Sequence, residues 1–222
     1  MQGRSHLETF RNVIVASSED WAGVAATHIA ARMRLAIEAR GVCHLASAGG
    51  NTPAAVYRAL RADWSRVEIW FGDERCVPPD HPDSNYGMVA ESIAGTPTLH
   101  RMEGERADRQ AAADDYAELL PERLDIALLG MGGDGHTASL FPGQCPTGRV
   151  AVVRSPRPPP WRLTLTAEEL LRARERIVLV TGSGKADTVR RALCEPGANL
   201  PIQVAADDTW ILDEAAAAAV RE

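Results

Sequence analysis

The chain has 222 residues, 45% of them hydrophobic and 24% charged, enough to bury a full core and too ordinary a mixture for disorder or low complexity. Its formal charge of −6 argues against a nucleic-acid partner held on a general basic surface, so any anion must be met by individually placed residues. Four scattered cysteines without a Cys-x-x-Cys pair indicate neither a zinc site nor a disulfide scaffold, and no stretch approaches the roughly 20 apolar residues of a membrane span.

Residues 1–12 are polar and charged and lack the apolar core of a signal peptide, so the expected location is cytoplasmic. Residues 11–17 read as a first strand. A helix over 19–40 follows, capped by Ser17 or Ser18 and stopped by Gly41, with Trp21, Val24, Ala25, His28, Ile29 and Leu35 at helical spacing. His28 therefore reads as a core or boundary histidine. Residues 42–48 form a second apolar strand that runs into Gly49-Gly50-Asn51-Thr52-Pro53, where Thr52 as cap and Pro53 as first helical residue predict a helix through Arg61.

A third strand, 67–72, ends in Asp73-Glu74-Arg75 and a long loop with Pro78, Pro79 and Pro82 before a helix opening at Asp83 or Ser84. Glu74 reads there as a solvated or turn residue. A short strand at 99–102 and a helix over 107–120 lead to an apolar strand beginning at Leu124. Residues 149–154 are a further strand, Arg157-Pro158-Pro159-Pro160 is a stiff connector to Trp161-Arg162-Leu163-Thr164-Leu165, and Thr166 with Glu169 forms a capping box. Another buried strand, 176–181, precedes Gly182-Ser183-Gly184-Lys185 and a helix through Leu193; a last strand is expected at 202–205 and a closing helix at 213–220. Strands alternating with helices predict a single α/β domain over 1–222, a mostly parallel sheet with helices on both faces in a three-layer, modified Rossmann-like arrangement.

Chemistry concentrates after the Leu124 strand, which empties into Gly130-Met131-Gly132-Gly133-Asp134-Gly135-His136. The spacing matches a dinucleotide fingerprint, but Pro142-Gly143 cuts short the helix that would take the pyrophosphate. Arg149 and Arg154 stand where a ribose-binding acid belongs. The Gly182 loop likewise lacks the upstream glycine of a triphosphate loop and has Ala186 in place of the magnesium-binding hydroxyl. What remains is Lys185 at a helix start, fit for a single phosphate, and the Gly49 to Thr52 turn with the same physics. Arg75 and Arg162 add planar guanidinium forks suited to phosphate. His136 sits on a turn with little room for core packing, and its imidazole is the natural general base for water near neutral pH. Most of the cysteines are expected to be buried thiols; Cys76 lies beside the candidate site without a base near it in sequence, so no nucleophilic role is expected.

Taken in order, Gly49-Gly50-Asn51-Thr52-Pro53, the run from Phe71 to Pro78, Asp83-Ser84-Asn85-Tyr86, the block from Gly130 to Gly143, Arg162-Leu163-Thr164-Leu165-Thr166 and Gly184-Lys185-Ala186 resemble the 6-phosphogluconolactonase family over nearly the whole chain. The resemblance implies hydrolysis of 6-phospho-D-glucono-1,5-lactone to 6-phosphogluconate in the oxidative pentose phosphate pathway, with no metal or organic cofactor, and a fold shared with glucosamine-6-phosphate deaminases. It implies that His136 activates water and that Asp134 and Asp73 line the reacting end. Arg75, Arg162, Lys185 and Gly49, Gly50, Asn51 and Thr52 would hold the substrate, chiefly its phosphate. Asn51 departs from the serine or threonine usual there. The implied partner is a small phosphosugar lactone, with neither nucleic acid nor membrane; the oligomeric state is not legible.

Two rival readings follow from the same fold. An amino-sugar phosphate deaminase or isomerase needs a further acid near its histidine, yet Phe141-Pro142 fills that stretch and no Asp or Glu falls between Asp134 and Glu168. A sugar-phosphate sensor of the transcription-regulator kind carries a helix-turn-helix ahead of the domain, where about ten residues precede the first strand. No Gly-x-Ser-x-Gly elbow is present for a serine-nucleophile lactonase.

Overall fold

The computed structural model describes residues 12–221, so the polar stretch before Asn12 and the expected strand start at Arg11 lie outside the described residues. In chain order the elements are β1 (Val13–Ala16), α1 (Trp21–Arg40), β2 (Cys43–Ser47), α2 (Asn51–Ala59), β3 (Val67–Phe71), β4 (Asp73–Arg75), α3 (Asn85–Ser92), β5 (Thr98–His100), α4 (Arg109–Leu119), β6 (Ile126–Gly130), β7 (Val150–Arg154), β8 (Trp161–Leu165), α5 (Ala167–Arg172), β9 (Glu175–Val180), α6 (Ala186–Cys194), β10 (Thr209–Asp213) and α7 (Ala218–Arg221). Seven strands form one sheet in the order β1-β10-β9-β6-β2-β3-β5, and every pairing in it is parallel. Its central strands bury consecutive residues, as Ile177, Val178, Leu179 and Val180 do, because helices cover both sides and no face is left for water. α1 packs on α2, and α6 on α7.

The strand order reverses between β2 and β6. From β2 the chain proceeds outward through β3 and β5; from β6 it proceeds the other way through β9 and β10. Loops leaving the carboxyl ends of β2 and β6 therefore part from each other and open a crevice, the place where open α/β sheets bind ligands. Those loops are Gly49-Gly50 and the Gly130 to His136 turn.

A second, three-stranded antiparallel sheet, β4-β8-β7, was not anticipated. Asp73-Glu74-Arg75 was read as loop because three polar residues carry no strand signal. They pair instead with Leu163 and its neighbours far along the chain, which sets Arg75 opposite Arg162.

The helix ends follow local chemistry. Gly41 stops α1 in the left-handed region at φ 81°, its N–H bonding Ile37 O at 2.7 Å. Ser84, Asp108 and Thr166 cap α3, α4 and α5 with side-chain oxygens that accept backbone N–H groups. The predicted box at Thr166 is half formed, since the Glu169 carboxylate turns away to bind Arg149 at 2.8 and 2.9 Å. α2 starts at Asn51 rather than at Thr52 or Pro53, and the Thr52 hydroxyl bonds Thr181 at 3.0 Å instead of capping.

Three further expectations are corrected. Residues 202–205 are not the last strand: Pro201–Ala205 winds into a 3-10 helix, because Pro201 opens it and Gln203 ties it to Leu200 N and the carbonyls of Ala192 and Glu195. The true final strand is β10, whose Trp210, Ile211 and Leu212 are fully buried. Of the cysteines only Cys43 is buried; Cys76 is partly covered, and Cys145 and Cys194 are exposed. Leu35 also faces solvent rather than the packed face of α1.

Candidate active site

The switch-point crevice is a cavity of about 430 Å³. Gly49, Gly50, Asn51, Thr52, Asp73, Arg75, His136, Arg162 and Lys185 all line it, so nine of the ten residues singled out from sequence share one space. Asp134 does not line it. It stands behind His136, and its Oδ1 lies 2.5 Å from the ring Nδ1 and 3.2 Å from the His136 backbone N–H. A carboxylate only accepts, so the proton of the shorter bond belongs to Nδ1, and in the neutral ring the lone pair is on Nε2. Burial pushes the Asp134 carboxyl up, but the hydrogen bonds and charge of His136 outweigh it and hold the group below its usual range.

The turn that presents this pair is specified by its glycines. A Cβ on Gly132 would fall 2.1 Å from both Nδ1 and Cε1 of His136, so only glycine lets the ring lie back over the turn. Gly135 adopts φ +82°, and a Cβ there would strike Leu200. Phe141 packs against the imidazole, with ring centroids 5.1 Å apart, and also lines the cavity. Between them, Ala138 sits at φ 47°, a strained conformation for a residue with a Cβ, which turns Ser139 toward β4.

The cationic side of the cavity is dominated by Arg162. It is 7% exposed, and its Nε has no hydrogen-bond partner among the described residues. Burial and the neighbouring Arg75 charge lower its pKa, so this guanidinium is desolvated and under-satisfied. Such a group is a standing demand for an anion. Burial also lowers Lys185, whose Nζ donates to Met131 O at 2.5 Å and is thereby held over the crevice. Arg75 donates through Nη1 to the Asp83 carbonyl. In the lining of the same cavity α2 begins, with its first internal bond from Ala54 N to Gly50 O at 3.2 Å, leaving the earlier N–H groups of its first turn without intrahelical partners.

Asp73 is 8% exposed, and its carboxylate accepts from Ser139 Oγ at 2.7 Å and Asn85 Nδ2 at 3.1 Å. Ser139, Asn85, Phe141 and Arg157 line the cavity too and were not singled out as site residues. The first three lie inside the sequence blocks that carried the family resemblance, which was the signal available. Glu74 overturns its solvated reading: it is 2% exposed, and it accepts the N–H groups of Arg75, Asn85 and Tyr86 and the Ser84 hydroxyl. Burial nonetheless pushes its carboxyl up, against those backbone bonds. Cys76 is outside the cavity lining, and burial pushes its thiol up despite Arg109 and Arg162 nearby, so it is not an activated nucleophile. Among the described residues no three His, Cys, Asp or Glu side chains are grouped to hold a metal ion.

Fold and site together define a three-layer α/β protein with a cation-lined crevice at its switch point and a carboxylate-supported histidine at one wall. Comparison with known proteins is specific. Residues 16–212 match the family of glucosamine-6-phosphate isomerases and 6-phosphogluconolactonase, and the chain belongs to that family. A 6-phosphogluconolactonase of Mycobacterium leprae (strain TN) is 35% identical, covering 93% of this chain and 97% of its own. The structure of a 6-phosphogluconolactonase from Trypanosoma brucei superposes with a TM-score of 0.80 at 26% identity, covering 93% of this chain and 97% of its own. A monomeric glucosamine-6-phosphate deaminase superposes equally well, TM-score 0.81 over 94% of this chain and 99% of its own, at 23% identity, a likeness of fold alone.

Proposed function

We propose that this chain hydrolyses 6-phospho-D-glucono-1,5-lactone to 6-phospho-D-gluconate, the lactonase step of the oxidative pentose phosphate pathway. The observation that carries this reading is the meeting, in one cavity, of an imidazole with a free Nε2 and a buried guanidinium without a partner. The phosphate is met by Arg162, Lys185 and the backbone N–H groups at the start of α2, with Arg75 beside them. That grip leaves the lactone carbonyl facing His136.

Nε2 of His136 takes a proton from water as the water oxygen attacks C1, which becomes tetrahedral with its former carbonyl oxygen as an oxyanion. Collapse of that intermediate breaks the bond from C1 to the ring oxygen. The imidazolium returns the proton to that oxygen, giving the open-chain hydroxyl and a C1 carboxylic acid that ionises in solvent. Asp134 fixes the Nδ1–H tautomer and stabilises the imidazolium. A positioned general base contributes about 10² to 10⁴ in rate, which goes far for an ester as activated as a lactone. Backbone N–H groups of the glycine-rich turns are the candidate donors for the oxyanion, each worth roughly 3 kcal/mol in such a role.

Phe141 against His136 weighs against deamination, which needs an acid where this aromatic ring lies. The same reading takes 1–222 as one domain working in the cytoplasm. In support, all four cysteines are free thiols. The test is product formation from freshly generated phosphogluconolactone, corrected for spontaneous opening. Lactone loss no faster than in buffer overturns the proposal, and ammonia release from glucosamine 6-phosphate replaces it with the deaminase.

A further inference from the structure

Asn85 is 2% exposed and lies at the first position of α3, yet it touches two separate parts of the crevice wall. Its Nδ2 donates to Asp73 twice, to the backbone carbonyl at 2.8 Å and to the carboxylate at 3.1 Å. Its Oδ1 has no hydrogen-bond partner among the described residues and is pressed onto Gly49, where a Cβ would lie only 2.1 Å away. Its backbone N–H is held by Glu74 at 2.7 Å, with the Glu74 carboxylate also gripping Tyr86 N and the Ser84 hydroxyl. The side chain is thus clamped from behind and spans from the small sheet, which carries Asp73, to the large sheet, whose β2 runs into Gly49.

A buried amide oxygen left without a donor is costly. What the amide provides is a rigid bridge of fixed length with a donor at one end. We propose that Asn85 is a positioning residue. It sets the Asp73 carboxylate at a fixed distance from the Gly49-Gly50 anion turn and orients it by donating to it. Asp73 in turn has its second oxygen held by Ser139 Oγ, so both oxygens of the group are fixed by neutral donors rather than by a cation. A carboxylate so held is an acceptor for sugar hydroxyls near the reacting carbon, and its placement governs the ring rather than the phosphate. This inference rests on the lactonase reading for the identity of the substrate.

The experiment compares Asn85→Ala and Asn85→Asp with the unaltered chain. Asn85→Ala loses the donor to Asp73, whereas Asn85→Asp replaces the neutral amide with a second carboxyl group, so that the two share a proton and one titrates higher. Expected is a fall in kcat of at least about tenfold in both variants, on phosphorylated and unphosphorylated gluconolactone alike, with inhibition by inorganic phosphate changed less than about twofold. The profile of kcat/KM against pH gains a new ionisation in Asn85→Asp and none in Asn85→Ala. A carboxyl-labelled carbon signal of Asp73 titrates higher in Asn85→Asp, a readout that needs no turnover.

Thermal melting establishes the folded fraction, and activity is expressed per folded molecule. Wild-type kcat and pH profile in both folded variants would overturn the inference, as would a loss fully explained by unfolding. An unaltered chain without lactonase activity would instead sink the functional reading, and the Asp73 titration would still decide whether Asn85 sets that carboxyl.

Discussion

Replacing Gly132 by alanine tests the proposed catalytic turn without replacing any group assigned to the chemistry. The added Cβ would sit 2.1 Å from Nδ1 and Cε1 of His136 and 2.7 Å from Asp134 Oδ1. Ordinary contact begins at 3.4 Å, so the imidazole must retreat by roughly 1.3 Å. Neither partner can yield without loosening the 2.5 Å bond between them. Misplacing a reacting group by about 1 Å costs on the order of 10²-fold in rate, or about 2.7 kcal/mol of barrier. The expected result is a kcat roughly a hundredfold lower, with KM for the phosphorylated lactone little changed, because Arg162 and Lys185 are untouched. Gly133→Ala is the matched control: a Cβ there meets nothing within 4 Å, and most of the turnover survives. Turnover is followed as product formed from fresh lactone above the spontaneous rate, with thermal melting to confirm the fold. A folded Gly132→Ala protein with full activity would refute the assignment of the His136–Asp134 pair, since no base can be both displaced and unaffected.

His136→Ala keeps the fold and phosphate binding but lowers kcat at least about a hundredfold, the low end for a general base, in the same assay. Lys185→Ala raises KM for the phosphorylated lactone while leaving unphosphorylated gluconolactone nearly unchanged; equal losses on both would contradict the phosphate assignment. Arg149→Ala strips the fork from Glu169, which is 1% exposed, and lowers stability by about 3 kcal/mol in urea unfolding, the low end for breaking a buried pair because Arg149 is itself partly exposed. Burial lowers the pKa of His28, against the pull of Glu175, so the unfolded chain takes up its proton first as pH falls through 6.5. Stability therefore drops on the acid side of that point, and His28→Gln flattens the difference between urea midpoints at about pH 5 and about pH 7.5.

The parts of the structure that were legible are those decided locally. Gly41 stops α1 and Ser84 caps α3 because each acts on the chain within a few residues. The crevice was legible for a related reason: strand ends followed by glycines, a histidine and a lysine carry their meaning in short segments, and the parallel topology brings those ends together. What escaped depends on distant partners. Asp73-Glu74-Arg75 becomes β4 only by pairing with β8, and Glu74 is buried only because α3 folds back onto it. The last strand was misplaced because Ile202, Val204 and Ala205 also read as a short apolar strand, and that stretch is wound up instead by Gln203 reaching carbonyls at the end of α6. Asn85 and Ser139 escaped as site residues because each acts through Asp73, a contact no local pattern encodes.

The lining of the crevice, and with it the proposed grip on a ligand, is divided between two independently paired sheets, since Asp73, Arg75 and Arg162 ride on β4 and β8 while the glycine turns and Lys185 belong to the seven-stranded one. An occupant of the crevice therefore acts as a staple across the seam. Any partial opening that peels the small sheet away must also release the occupant, which at a hundredfold excess over Kd adds about 2.7 kcal/mol to that opening. Amide protons of β4, β7 and β8 should exchange with deuterium far more slowly once phosphogluconate is bound, whereas openings confined to the far edge at β1 keep their unliganded rate.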